Sequence, residues 1–217
     1  MNLPVNHPYM DLTFPSSPGD RPYVAVNMVM SLDGKITVGK KLEAGSLGSS
    51  FDRDTMTVLR HHFDAVICGG ETVRQHPFYL GVTPEFSDLR KAQGMTLQPR
   101  TIIVTNSGLL PRDSALFSKP EFPPIILTSK QSYSQIVSEL GSLAEVYAVG
   151  EDQVEVGEAL KLLRQVYAVD RLLLEGGPRL NFQFMQEQAV DEVFLTLAPR
   201  LVGSKDELSM VMGDSVL

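Results

Sequence analysis

The chain has 217 residues, 43% of them hydrophobic and 21% charged, which allows one sizeable buried core and excludes a disordered or low-complexity protein. A net charge of -7 excludes a general nucleic-acid surface, because no stripe of lysine and arginine is available to neutralise many phosphates. Cys68 is the only cysteine, so an intrachain disulfide and a cysteine-rich metal site are also excluded, and a small-molecule partner in a soluble, cytoplasmic setting is expected.

Residues 1–20 hold four prolines and the stretch SSPGD, which predicts an extended arm ahead of a single domain over 21–217. The opening residues lack the basic start and unbroken apolar run of a signal peptide, and no run reaches the length of a membrane span. Tyr23 to Met30, β-branched and apolar, predicts a strand that ends at the Asp33-Gly34 turn. Ser49 and Asp52 are spaced as a capping box for a helix whose Met56, Leu59 and Phe63 share one stripe. DAVICGG, RTIIVTNSG, PPIILTS, AEVYAVG and DRLLLEGG then repeat one form, a short apolar run closed by glycine, hydroxyl or amide residues. Between the last two, Val156, Ala159, Leu160, Leu163 and Val166 recur at helical spacing, and DEVFLTLAP reads as a further strand. Short apolar strands alternating with helices predict an α/β fold with a central, mostly parallel sheet flanked by helices. Ligands in such sheets bind beyond the carboxyl ends of the strands, where CGGET, VTNSG, AVGED and EGGPRLN all fall.

The stretch LLLEGGPRLNFQFM, residues 172–185, is the most informative. Gly176 and Gly177 let the backbone approach a ligand, Pro178 suits the first position of a helix, and free N–H groups there accept phosphate or pyrophosphate. Glu175 is left at the strand end, facing what lies beyond. The same residues also read as plain turn chemistry. Neither the G-x-G-x-x-G fingerprint nor a P-loop is present, which argues against an ordinary Rossmann domain. Elsewhere the plain reading is packing or solvation. His61 and His62 close a helix where cations favour the dipole, Cys68 is a small core residue, and His76 is a surface group in a loop. Met28, Met30, Met210 and Met212 alternate in apolar runs as packing residues.

RPYVAVNMVMSLDGKI, LRHHFDAVICGGETV, PRTIIVTNSGLLP, LLLEGGPRLNFQF and VDEVFLTLAPRLVG occur in this order, from Arg21 to Gly203. In that order and spacing the chain resembles the reductase domain of riboflavin biosynthesis, the pyrimidine reductases found alone or behind a deaminase domain. The resemblance implies a dihydrofolate-reductase-like fold, NADPH as cofactor and a homodimer. It implies that Gly176, Gly177, Pro178, Arg179 and Leu180 receive the pyrophosphate and that Thr72 also contacts the cofactor. Thr105, Asn106, Ser107 and Gly108 would hold the adenosine end with its 2′-phosphate, with Val149 and Gly150 near the adenine. Arg74 and Arg100 either assist that phosphate or lie on the surface. On the substrate side it implies Asn27 in the active site, Arg60 and Glu175 as substrate contacts, and Asp33 shaping the adjoining turn and counted with Glu175 as catalytic. Hydride would pass to C1′ of a ribosylamino-pyrimidine in its ring-opened imine form, with Glu175 or water as proton source; a structural acceptor role for Glu175 stands equally.

The chain departs from that family where Asp-Asp-Pro-x-Leu-Thr-Val-Arg is usual and RQHPFYLGV stands from Arg74 to Val82. An acidic cofactor contact and the basic residues for a 5′-phosphate are lost, leaving Arg60, while Phe78 and Tyr79 make the wall more apolar. Relatives also continue past APRLVG through two further strands, where this chain reads on to MVMGDSVL. One cysteine cannot build the zinc site of the deaminase half. The expected function is an NADPH-dependent pyrimidine reductase with a possible shift of substrate; the alternatives are a reductase of a pterin or dihydrofolate-like ring, or a non-catalytic NADPH-binding protein of the same fold.

Overall fold

Most of the strands predicted from short apolar runs form because those runs are buried on both faces. In the computed structural model, which describes residues 7–38 and 47–214, the strands make one seven-stranded sheet. The strands are β1 (Tyr23–Ser31), β2 (Ala65–Gly69), β3 (Arg100–Val104), β4 (Ile125–Thr128), β5 (Glu145–Ala148), β6 (Arg171–Leu174) and β7 (Glu192–Ala198). They lie in the order β5-β4-β3-β2-β6-β1-β7, and every pairing is parallel. The helices are α1 (Ser50–His62), α2 (Gly70–Gln75), α3 (Pro84–Ala92), α4 (Lys130–Leu140), α5 (Val156–Tyr167) and α6 (Pro178–Gln186). The expected α/β architecture, a parallel sheet flanked by helices, is what the chain adopts.

Register decides which side chain meets which helix. Leu173 lies beside Ala25 and Val66 and faces the core that holds Leu59 of α1 and Phe63 just after it. Its neighbours Leu172 and Leu174 face the opposite core, with Leu160 and Leu163 of α5 and Phe184 of α6. Each of these leucines contributes about 1.5–3 kcal/mol by leaving water, so a register slip of one residue would be heavily disfavoured. The pattern above does not predict α2, α3 or α4, and the reason is physical. Helix α2 is six residues long, and α3 and α4 each bury only two side chains, so neither writes a long apolar stripe.

Helix α1 starts as its sequence predicts, with Ser49 Oγ accepting from the Asp52 N–H at 3.3 Å. Its other end corrects the expectation for His61 and His62. The cation there is Arg90 from α3, wholly buried, whose Nη1 donates to the carbonyls of Arg60, His61 and Phe63 at 3.2, 2.9 and 2.7 Å. Burial pushes His61 down to about 4 and lowers His62 as well, so both rings are neutral. A guanidinium keeps its charge where an imidazole gives up its proton.

Residues 7–20 contain no helix or strand, and Tyr9, Leu12 and Phe14 pack onto the core on the α1 side. Beyond β7 the described residues form no further strand, only an isolated bridge between Lys35 and Ser209. This segment is tied to the start of α6: Asn181 Nδ2 donates to the Met210 carbonyl at 2.9 Å, and the Met212 N–H to that of Pro178 at 3.1 Å. No helix among the described residues is long and apolar enough to cross a membrane.

Candidate active site

Because all seven strands run the same way, their carboxyl ends share one edge of the sheet. The centre of that edge is where β2, β6 and β1 end. The Glu175 N–H donates to the Ile67 carbonyl at 3.0 Å and the Gly69 N–H to the Gly176 carbonyl at 2.8 Å, which locks the two glycine loops together. Gly176 has φ 78°, a left-handed conformation that suits glycine, and the Gly176–Gly177 peptide is cis. A Cβ on Gly177 would stand 3.0 Å from Thr72 Oγ1. The absent side chain therefore keeps open a cleft of about 450 Å³, lined by Thr72, Gly177, Pro178, Arg179 and Leu180. Gly177 gives no side-chain cap and Pro178 opens α6, so the first N–H groups of the helix lack intrahelical partners at the end that borders this cleft.

Gly69, Glu71, Arg74, Gln75, Leu208 and Met212 complete the lining. Glu71 and Gln75 are not among the residues singled out from the sequence, although their spacing of four is a helical signal. Leu208 and Met212 come from a segment without periodicity, and Met212 is cleft wall, not only packing. Arg74 is salt-bridged to Glu71 at 2.6 Å and reaches across to Ser107 Oγ at 3.0 Å and the Leu109 carbonyl at 3.4 Å. It thereby joins the cleft to the loop after β3. There Thr105 is buried and its Oγ1 accepts from the N–H groups of Ser107 and Gly108, both at 3.3 Å, while Asn106 and Ser107 are exposed.

The remaining expected cofactor residues lie farther off. Val149 is in the core just past β5, and the Gly150 N–H donates to Glu158 at 2.8 Å. Strand β5 is three places from β2, about 14 Å at the usual strand spacing. Arg100 opens β3 at the opposite edge, with its guanidinium 4.7 Å from the centre of the Tyr167 ring, so of the two arginines only Arg74 borders the cleft.

On the α1 side, Arg60 and Glu175 meet. Nε donates to Oε1 at 2.7 Å and Nη2 to Oε2 at 2.6 Å, with the side chains only 5% and 8% exposed. Nη1 faces the Tyr79 and Gly81 carbonyls at 3.5 and 3.4 Å, and Phe78 presents its ring at 5.7 Å. Asn27, on the same face of the sheet, is half-buried and has no side-chain hydrogen bond among the described residues. Asp33 is a latch: its carboxylate accepts from Ser31 Oγ at 2.6 Å and from the Val202 and Gly203 N–H groups at 3.1 and 2.6 Å, which holds it well below the usual carboxylate range. His76 is not the surface group expected. It is half-buried, its Nε2 is enclosed without a partner, and burial lowers its pKa.

Residues 22–216 match the family model described as the RibD C-terminal domain. A 2,5-diamino-6-ribosylamino-4(3H)-pyrimidinone 5′-phosphate reductase of Methanothermobacter thermautotrophicus is 31% identical over 198 residues, 90% of this chain and 86% of that protein. Its namesake in Aquifex aeolicus is 30% identical over 201 residues, 90% of this chain and 84% of that one. Among solved structures, RibD of Acinetobacter baumannii matches with a TM-score of 0.72 at 25% identity, covering 91% of this chain and 51% of that one. A pyrimidine reductase-like protein of Corynebacterium diphtheriae has a TM-score of 0.77 at 22% identity, over 88% of this chain and 80% of that one, and so shares the fold. With the match running over nearly its whole length, the chain belongs to the RibD C-terminal domain family.

Proposed function

We propose that this chain is an NADPH-dependent reductase that converts the ribosylamino group of a diamino-pyrimidinone ribosyl phosphate to ribitylamino, the reaction type of riboflavin biosynthesis. The observation that carries the reading is the two-part strand edge, an open backbone cleft at Gly177 and the start of α6 beside a buried Arg60–Glu175 pair. The residues present fit the dinucleotide, since a side chain at Gly177 would fill the cradle and no capping group competes for the α6 N–H groups. When bound, the reduced nicotinamide supplies hydride.

The protein's own groups bind, orient and exclude water. The first turn of α6, from Pro178 to Leu180, holds pyrophosphate, with the Thr72 hydroxyl beside it. Arg74, between the cleft and the loop Thr105–Gly108, holds the 2′-phosphate; Val149 and Gly150 support that side of the sheet from behind. Arg60 fixes Glu175, whose remaining lone pairs accept from amino groups of the pyrimidine, and the free amide of Asn27 completes the contact. Asp33 shapes the turn and moves no proton. A second copy covers the outer edge at β7, making a homodimer.

One observation favours a second reading. Arg60 is engaged by Glu175 and so is not a free anchor for a substrate phosphate, which leaves room for a pterin-like ring without one. The two are separated by adding the ribosylamino-pyrimidine phosphate or a dihydropterin to protein and NADPH and following loss of reduced-nicotinamide absorbance. Turnover with the pyrimidine alone is expected. Calorimetry showing no NADPH binding would overturn both readings.

A further inference from the structure

We propose that the carboxyl group of Asp52 is the proton donor of the reduction, with Glu175 serving only as an acceptor. The proposal rests on the function above, because a C=N bond that receives hydride at carbon needs a proton at nitrogen. Glu175 is the obvious acid and is badly placed for it. Both of its oxygens accept guanidinium N–H groups at 2.7 and 2.6 Å, and a proton on either would point at a donor.

Asp52, Met56 and Arg60 are spaced at four residues along α1 and so share one face of it. Met56 Sδ confirms that alignment by lying 3.5 Å from Arg60 Nη2. The face looks onto the side of the sheet that carries Asn27 and, next along β7, Thr196, since Asn27 pairs with Phe194 and Val29 with Thr196. Asp52 is half-buried, with the Thr196 hydroxyl and the Glu175 carboxylate as its electrostatic neighbours. Gly48 leaves it room: a Cβ there would stand 2.3 Å from Asp52 Oδ2. No salt bridge holds Asp52 among the described residues, in contrast to Glu175.

Among the described residues, the charged groups facing Asp52 are Arg53 on its own helix and Glu175 from the end of β6. Burial raises its pKa, and the Glu175 charge raises it further, against the lowering effects of Thr196 and Arg53. Asp52 thus keeps a proton beyond the pH at which an exposed aspartate would lose it. In the step itself Asp52 gives that proton to the imine nitrogen as hydride arrives at C1′. The π pair of the C=N bond becomes the new N–H bond, the carbon is reduced, the dinucleotide is oxidised, and water later restores the proton to the carboxylate.

Asp52→Asn is expected to lower kcat about 100-fold or more, to leave NADPH affinity unchanged, and to abolish the fall of kcat at high pH that the proposal predicts for the unsubstituted enzyme. Thr196→Val removes a group that lowers the pKa, so it should move that fall to higher pH while keeping most of the rate. In the ligand-free protein, carbon NMR titration should show the Asp52 carboxyl, identified by its loss in Asp52→Asn, ionising above the ordinary aspartate range. If Asp52→Asn does not fold, the Thr196→Val shift and the titration decide. An active Asp52→Asn enzyme with an unaltered pH profile, or an Asp52 that ionises in the ordinary range, overturns the inference and leaves the proposed function standing. An unsubstituted enzyme that never oxidises NADPH with the pyrimidine overturns the proposed function instead.

Discussion

At the scale of single residues, the buried Arg60–Glu175 pair bears on stability and, in the proposed function, on chemistry. Two buried charges are costly to desolvate, and removing one leaves the other without compensation, a loss of about 3–5 kcal/mol. Glu175→Gln should therefore lower the urea midpoint markedly, and the double change Arg60→Met with Glu175→Met should recover most of it. The same Glu175→Gln protein, at a temperature where it is folded, should turn over far more slowly with NADPH affinity within about twofold. An unchanged rate would remove Glu175 from substrate contact. Each partner was visible in the sequence, one at the end of LLLEGG and one before the histidine pair. Their pairing was not, because nothing in two stretches 115 residues apart says that they meet. The histidines misled for the same reason: the guanidinium that takes their place at the end of α1 comes from Arg90, in a helix that the pattern does not reveal.

At the scale of elements, the strand ends show why some parts of the site could be read and others could not. Strands buried on both faces must be short and apolar, and α5 and α6 must carry an apolar stripe, so composition and period were enough to find them. The glycine loop was readable because backbone approach has one chemical solution. Its contact with Thr72 across the cleft gives a direct test. Gly177→Ala puts a methyl group 3.0 Å from Thr72 Oγ1 and into the proposed pyrophosphate cradle. NADPH should bind about tenfold more weakly, a change of about 1.4 kcal/mol, measurable by calorimetry, while the apoprotein unfolds at nearly its usual temperature. Equal affinity for the two proteins would move the pyrophosphate elsewhere. The wall formed by Leu208 and Met212 was out of reach, since a segment without helix or strand carries no periodicity to read.

At the scale of the whole molecule, the four histidines act together. Burial is the first cause lowering the pKa of each of His7, His61, His62 and His76. The folded state binds fewer protons than the unfolded chain below the ordinary histidine value, so stability is complete above about 6.5 and falls as pH drops. The fall continues toward about 4, where His61 itself takes up a proton. Denaturation midpoints measured across that range should decline, and less steeply in His61→Phe; an identical slope would remove His61 from the acid sensitivity. Among the described residues the outer strand β7 has one neighbour, and Val193, Leu195, Leu197 and, beyond it, Leu201 stay exposed, Leu197 at 53%. Leu197→Asp should convert the proposed dimer to a monomer by light scattering.

The position of β1, set between β6 and β7, reaches beyond the finished molecule. Its two partners are made last. During synthesis the opening ribbon, with Val24 and Val26, leaves the ribosome long before either neighbour exists. Until then its edges lack the partners they pair with in the fold, so the yield of this polypeptide is expected to depend on translation speed and chaperone access as well as on the final free energy.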